Sequence, residues 1–116
     1  AMSDHEWIKE FPGAVTVCDD KGVILEMNDR AARMFDEQGG MGLLGTNLLN
    51  CHPGPARDKL ERIMEARQTN VYTIEKKGKW RFIYQSPWYV DGAYRGFVEV
   101  VMEIPQDMPH FIRTGS

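Results

Sequence analysis

The last third of the chain contains three β-rich runs that are separated by short turn sequences. Residues 71–75 alternate in polarity, residues 80–90 form a long aromatic run, and residues 97–104 are rich in valine. The runs are joined by residues 76–79 and by Asp91-Gly92, and glycine at such positions is typical of tight hairpin turns. Three strands in this arrangement predict an antiparallel meander.

A separate β-hairpin is predicted near the start of the chain. Residues 14–18 and 23–27 are β-rich and flank an Asp-Asp-Lys-Gly turn at residues 19–22. Asn28 then offers a helix N-cap, and the apolar residues after it follow at helical spacing. The second strand is therefore expected to lead directly into a helix.

The middle of the chain is predicted to be helical and irregular. Residues 38–45 contain four glycines, which predicts a flexible link with about one turn of helix. Residues 56–67 place apolar side chains at a period of about 3.6 within a charged background, which predicts an amphipathic helix.

A short N-terminal helix is also predicted. Ser3 and Glu6 have the spacing of a capping box, and Pro12-Gly13 would end the helix. Ala1-Met2 is interpreted as a cloning remnant. We therefore divide the chain into a cap helix with that remnant (residues 1–11), one domain (residues 12–105) and a C-terminal tail or linker (residues 106–116).

Length and charge exclude several classes of protein. A chain of 116 residues fits one domain. Lys and Arg number 14 against 17 Asp and Glu, and no basic stripe stands out, so nucleic acid is not expected as a partner. No apolar run approaches the roughly 18 residues that cross a bilayer, so no membrane partner is expected and the location should be cytoplasmic. We expect Cys18 and Cys51 to be reduced.

Helices confined to the stretch between the second and third strands indicate an α+β domain with its helices on one face of the sheet. Four segments in the same order resemble motifs of the PAS domain family. VTVCDDKGVI (15–24) resembles its opening hairpin, MNDRAA (27–32) its asparagine-led helix, LLGTN (43–47) its entry to the central region, and DGAYRGFV (91–98) its final hairpin. The resemblance implies the PAS fold, with a five-stranded antiparallel sheet in spatial order 2-1-5-4-3, short helices on one face and an N-terminal helix.

The resemblance also implies a function in bacterial or archaeal signal transduction. PAS domains hold ligands between the inner sheet face and the central helices, so we expect a sensory domain that binds a small ligand or cofactor and relays the signal through dimer contacts. An effector domain or partner protein of unknown type would receive that signal. A ligand-free interaction module that dimerises is the first alternative, and a haem-binding redox or gas sensor is the second. No catalysis is expected, because no nucleophile with a base and no paired carboxylates stand out.

The residues that line the cleft are predicted from strand alternation. On the last strand Glu99 and Glu103 are assigned to the face away from the helices, which leaves Val98 and Val100 toward them. On the fourth strand, either of two alternating sets of side chains could face the cleft. We choose Tyr84, Ser86 and Trp88, which combine apolar bulk with hydrogen-bonding groups, over Ile83 and Gln85. The predicted cleft residues are Met27, Met34, Leu44, Leu48, His52, Met64, Tyr72, Ile74, Tyr84, Ser86, Trp88, Val98 and Val100.

The sequence does not identify a cofactor. Flavin-adduct relatives carry their reactive cysteine immediately after a Gly-x-Asn, where this chain has Leu48, so that chemistry is not expected. Coumarate-type relatives need Tyr and Glu near the positions of Met27 and Ala31, so that chromophore is not expected either. His52 is a speculative axial haem ligand, although Pro53 after it favours an imidazole that caps backbone groups. The spacing of His5 and His110 predicts no metal site.

A dimer interface is predicted on the outer face of the sheet. In this family an N-terminal helix commonly packs there, and a helix that only covers its own sheet remains an equal alternative. The predicted interface residues are Trp7, Ile8, Phe11, Phe97 and Val101. Relatives connected to an enzyme often end in an Asp-Ile-Thr-like tripeptide, whereas this chain has Glu103-Ile104-Pro105, so the signal leaves by another route or the effector is separate.

Overall fold

The computed structural model describes residues 5–52 and 54–115. Ala1-Met2 and Ser3 lie outside that part of the chain, as does the side chain of Cys51. The helices and strands are α1 (Glu6–Lys9), β1 (Ala14–Asp19), β2 (Ile24–Met27), α2 (Asp29–Met34), α3 (Gly54–Ala66), β3 (Asn70–Lys76), β4 (Lys79–Val90) and β5 (Ala93–Ile104), with 3₁₀ turns at Asp36–Gln38, Gly40–Leu43 and Leu48–Cys51.

The five strands form one antiparallel sheet in the order β2-β1-β5-β4-β3, which confirms the predicted fold. Both turns of the meander have two residues with positive φ, Lys77 (54°) with Gly78 (77°) and Asp91 (49°) with Gly92 (78°). Paired positive φ angles are those of type I′ turns, whose twist matches the twist of the flanking strands. The predicted turns thus set the register of three strands, and β5 begins four residues earlier than predicted, at Ala93.

Asn28 holds the N-terminal segment, β1 and α2 together. Its side-chain Oδ1 accepts from the backbone N–H of Ala31 (3.1 Å), which confirms the predicted N-cap, and also from that of Val15 (2.9 Å). Its Nδ2 donates to the carbonyls of Ile8 (3.0 Å) and Gly13 (2.7 Å). Asn28 is 2% exposed, so one buried amide connects these segments.

The region predicted as a flexible link is instead bonded to β2. The backbone N–H of Ile24 donates to Thr46, and that of Gly45 donates back to Ile24, both at 2.9 Å. Two 3₁₀ turns replace the single helical turn that was predicted. The glycines permit these tight turns, since Gly39, Gly40 and Gly45 all have positive φ.

Helices α2 and α3 and the 3₁₀ turns cover one face of the sheet, which we call the inner face; the other is the outer face. The core between helices and sheet contains Ala14, Cys18, Ile24, Met27, Ala31, Phe35, Leu43, Leu48, Leu60, Ile63 and Phe97. Across the sheet, partners in register share a face, so the buried side chains of β1, β4 and β5 identify the inner face along the whole meander.

The side chains of β5 that face the helices are not the ones that were predicted to do so. Phe97 is 2% exposed within the core and Glu99 is 8% exposed on the same face. The prediction that Val98 and Val100 face the cleft is therefore wrong, because alternation places both on the outer face. Both parities of this strand are apolar, and Glu99 can be buried because Gln85 donates a hydrogen bond to it.

Strand β4 shows the same reversal. Ile83 (4% exposed) and Gln85 (6% exposed) point inward, so Tyr84, Ser86 and Trp88 lie on the outer face and were wrongly assigned to the cleft. The prediction favoured side chains that end in a hydrogen-bonding group, but such groups also find partners on the outer face. The indole N–H of Trp88, for example, bonds to a backbone carbonyl of β1.

The N-terminal helix begins at Glu6, and its N-cap residue, His5, makes no side-chain cap hydrogen bond. A cavity of about 180 Å³ between this helix and the outer face is lined in part by Ile8, Val15 and Val17. The helix thus covers the sheet of its own chain, which is one of the two alternatives predicted for it from the sequence.

Phe97 and Val101 cannot belong to an outer-face interface with this helix. Phe97 is in the core and Val101 packs against the core from the inner face, so their assignment to the dimer interface was wrong.

Across residues 5–52 and 54–115, no helix has the length and apolar character needed to cross a membrane.

Candidate functional site

A row of polar side chains crosses the inner face at the middle of the sheet. Asn70, Gln85, Glu99 and Thr16 are successive register partners on β3, β4, β5 and β1. Asn70 Nδ2 donates to Gln85 Oε1 (2.9 Å), and Gln85 Nε2 donates to Glu99 Oε2 (2.7 Å). A carboxylate is thus held under the helices by a chain of amide hydrogen bonds.

The buried carboxylate affects the groups around it. Burial raises the pKa of the Cys18 thiol above its ordinary value, and the charges of Asp19 and Glu99 add to that rise. Burial also raises the pKa of the Tyr72 phenol, with Glu99 as the further cause. Both groups therefore stay neutral well into the alkaline range.

Strand β3 is the open side of the inner face. Tyr72 and Ile74 point inward as predicted, yet they remain 38% and 41% exposed. The Lys59 ammonium group of α3 lies 5.2 Å from the centre of the Tyr72 ring, a cation–π contact that closes part of this side.

A cleft of about 450 Å³ opens between α2 and the inner face. Ala14 and Val101 are small or apolar residues of its floor, and the side chains of α2 form one wall. We call this the basic cleft; its lining residues are Pro12, Ala14, Arg30, Arg33, Met34, Lys79, Arg81, Val101 and Glu103.

The basic cleft has a wall and a rim from different parts of the chain. Arg30 and Arg33 are three residues apart on α2, a spacing that puts both on one side of the helix. Lys79 and Arg81 come from the start of β4 and Glu103 from the end of β5, and Lys79 Nζ lies 3.4 Å from the Glu103 carboxylate. The volume lies within the range of small-molecule sites.

The predicted cleft residues separate into several groups. Met34 lines the basic cleft. Met27 and Leu48 are core residues and Met64 packs against them, while Leu44 is 44% exposed. Tyr72 and Ile74 lie on the inner face beside α3, and the five residues of β4 and β5 lie on the outer face.

His52 lies at the end of the last 3₁₀ turn. Its Nδ1 lies 3.1 Å from the carbonyl oxygen of Leu48, and its ring is 6.0 Å from that of Phe35. This is the backbone contact that Pro53 suggested. Elsewhere in the described residues, no three His, Cys, Asp or Glu side chains come close enough to hold a metal ion.

Several residues of the site were not singled out from the sequence. Arg30, Arg33 and Arg81 read as ordinary solvent-facing cations, because only the packing of α2 on the sheet brings them to one cleft. Gln85 and Glu99 carried a usable signal, since each is a polar residue within a strand rich in apolar residues, and the two are register partners.

Solved structures with a similar architecture show which fold this is. A C-terminal domain from Streptococcus mutans has a TM-score of 0.69 at 19% identity, covering 84% of this chain and 79% of that chain. The PAS domain of BvgS from Bordetella pertussis has a TM-score of 0.65 at 18% identity, covering 86% and 82%. A sensory box sensor histidine kinase from Vibrio cholerae has a TM-score of 0.61 at 18% identity, covering 86% and 88%.

No protein-family model matches the sequence, and no curated protein matches it. At these identities the structural neighbours establish the fold. The five strands, their order and the helices between β2 and β3 are those of a PAS domain.

Proposed function

We propose that this chain, which has the PAS fold, is a sensory domain that binds a small ligand between α2 and the inner face and passes the signal to an effector domain or partner. The observation that carries this proposal is the basic cleft, an open volume of about 450 Å³ at the junction of helices and sheet. The similarity to a sensor histidine kinase from Vibrio cholerae supports a role in signalling.

Asn28 offers a route from the cleft to the N-terminal helix. It caps α2, the helix that forms the wall of the cleft, and the same amide bonds to the carbonyls of Ile8 and Gly13. A ligand that shifts α2 would disturb these hydrogen bonds, because a fully used amide cannot move without losing a partner. The signal would then reach α1 and any dimer contacts made there.

We also propose that the domain carries no catalysis of its own. The basic cleft is lined by cations, one carboxylate and apolar side chains, which suit binding and not general acid–base work. The activity that responds to the ligand would belong to the effector.

The proposal is tested by screening a set of neutral, anionic and cationic metabolites by differential scanning fluorimetry. A cleft-filling variant, Met34→Trp, should abolish the stabilisation that a bound metabolite gives. Leu44→Trp is the matched control, because Leu44 is exposed and does not line the cleft. A screen without any stabilising compound, or equal loss in both variants, would contradict the proposal.

A ligand-free interaction module is a second candidate, and the outer face favours it. Trp7 is 73% exposed, and Val71 (49%) and Tyr84 (39%) leave an apolar surface on the outer face. Sedimentation should show a dimer that dissociates in Trp7→Ser and in Tyr84→Ser. Phe111→Ser, at an exposed position of the C-terminal segment, should leave the dimer intact. A monomer at all concentrations would exclude this candidate.

Haem binding through His52 remains a prediction. The contact between Nδ1 and the Leu48 carbonyl is compatible with a ligand at the other ring nitrogen, since ligating imidazoles usually donate their second N–H to such a group. Titration with haemin should shift and sharpen the porphyrin absorption band at roughly 400 nm, and His52→Ala should abolish that change. An unchanged spectrum would exclude this reading.

A further inference from the structure

We infer that the basic cleft selects small anions that carry carboxylate or phosphate groups. This inference rests on the proposed function and names the chemical class of its ligand. It depends on the charges that line the cleft and on which of them already have partners.

The cleft concentrates positive charge in a chain that is negative overall. Four cationic side chains (Arg30, Arg33, Lys79 and Arg81) and one carboxylate (Glu103) line it, so four minus one leaves +3, against −3 for the whole chain. A concave surface lined by one sign of charge concentrates its field and attracts the opposite charge.

The carboxylates nearby leave the three arginines of the cleft unneutralised. Glu103 pairs with Lys79 (3.4 Å), although its register partner is Arg81. Asp29, next to Arg30 in sequence, pairs with Lys9 (3.1 Å) on α1. Within residues 5–52 and 54–115 the ion pairs therefore leave the three cleft arginines without a carboxylate partner.

Arginine also indicates which anion the cleft would bind. A guanidinium group presents a planar fork of N–H donors that matches the two oxygens of a carboxylate or phosphate. Arg30 and Arg33 approach from α2 and the half-buried Arg81 from β4, so donors reach the cleft from two walls. An anion with two charged groups could engage both walls at once.

The size of the cleft favours a small molecule over a polymer. A volume of about 450 Å³ accommodates a ligand of roughly metabolite size, and the apolar floor of Ala14 and Val101 would contact its carbon skeleton. An acidic peptide segment is the competing occupant and is included in the test.

The test is isothermal titration calorimetry of the full chain with sodium pyrophosphate and with sodium citrate, at low salt. At least one should bind, and the affinity should fall as NaCl is added. Which of the two binds more tightly identifies the phosphate or the carboxylate source. Arg33→Gln and Arg81→Gln should each weaken binding about tenfold.

Arg62→Gln is the matched control, because Arg62 is exposed on α3 and does not line the cleft. Far-ultraviolet circular dichroism confirms that each variant folds, and Arg81→Lys should retain part of the affinity because it keeps the charge. The inference is overturned if neither anion binds, if Arg62→Gln weakens binding as much as Arg81→Gln, or if a hexaglutamate peptide binds more tightly than both probes.

The outcomes separate this inference from the proposed function. If a neutral metabolite from the screen binds, Met34→Trp abolishes that binding, and neither pyrophosphate nor citrate binds, then the inference fails and the proposed function stands. If no compound of any charge binds, both fail.

Discussion

The indole Nε1 of Trp88 donates a hydrogen bond to the backbone carbonyl oxygen of Cys18, 2.9 Å away on β1. Trp88 is on β4, and the strand between them, β5, contributes Gly96 as the register partner of Trp88. The bond therefore crosses a strand at the one place where that strand carries no side chain.

Replacing Trp88 by phenylalanine should lower the free energy of unfolding by about 1 kcal/mol, since the Cys18 carbonyl loses a donor in a half-buried place. Trp80→Phe is the control, because the indole of Trp80 bonds to an exposed carboxylate, that of Glu75 (3.0 Å). Urea unfolding of the two variants compares them, and equal losses would contradict the assigned role.

Gly96→Ala should be more damaging than any other glycine substitution in the meander. A Cβ at Gly96 would lie 2.0 Å from the Cys18 carbonyl oxygen, and its φ of +155° disfavours a side chain as well. We expect a loss of more than about 2 kcal/mol in unfolding free energy. Gly92→Ala has the strain (φ +78°) without the clash and should cost about 1 kcal/mol. A smaller loss at Gly96 than at Gly92 would refute this.

Gln85 and Glu99 should behave as a coupled pair. Gln85→Leu leaves the Glu99 carboxylate with one hydrogen bond fewer under the helices and should cost about 1–3 kcal/mol. The double variant Gln85→Leu/Glu99→Leu should recover part of that loss, because both partners are then apolar. A double-mutant cycle from urea unfolding measures the coupling. Strictly additive effects would show that the bond contributes nothing.

Stability should fall in alkaline solution. The pKa of the Cys18 thiol is raised above its ordinary value of 9.0 by burial, so the folded chain keeps a proton that the unfolded chain releases. The resulting stabilisation is fully present below about pH 9 and is lost as pH rises through the folded value, with a slope of at most about 1.4 kcal/mol per pH unit.

Cys18→Ala should flatten this pH dependence above about pH 9, whatever its effect on absolute stability. Tyr72→Phe is the comparison, because the ordinary pKa of tyrosine is 10.0 and its raised value acts only at higher pH. Unfolding curves collected across the range compare the slopes. An unchanged slope in Cys18→Ala would contradict the burial of the thiol.

The order of elements could be predicted because local signals agree with the fold. Asn28 caps α2, and the Lys77-Gly78 and Asp91-Gly92 turns set two hairpins, each through interactions within a few residues. The faces of β4 and β5 could not be predicted in this way. Both parities are apolar there, and the assumption that Glu99 avoids burial fails because Gln85, on another strand, satisfies it.

The candidate site was less predictable than the fold. In the sequence, the three cleft arginines cannot be told apart from surface cations, and Arg81 is far from Arg30 and Arg33. Only the packing of α2 on the inner face brings them together. His52 was predicted as a speculative haem ligand, and the structure places it against Phe35 and a backbone carbonyl.

The most direct test of the account is a ¹⁵N heteronuclear NMR titration of the chain with the metabolite that stabilises it most. Binding in the basic cleft should change the amide shifts of α2 and of the start of β4, together with those at Ile8 and Gly13, which Asn28 connects to the cleft. Changes confined to the outer face around Val98 and Val100, or no change at α2, would contradict it.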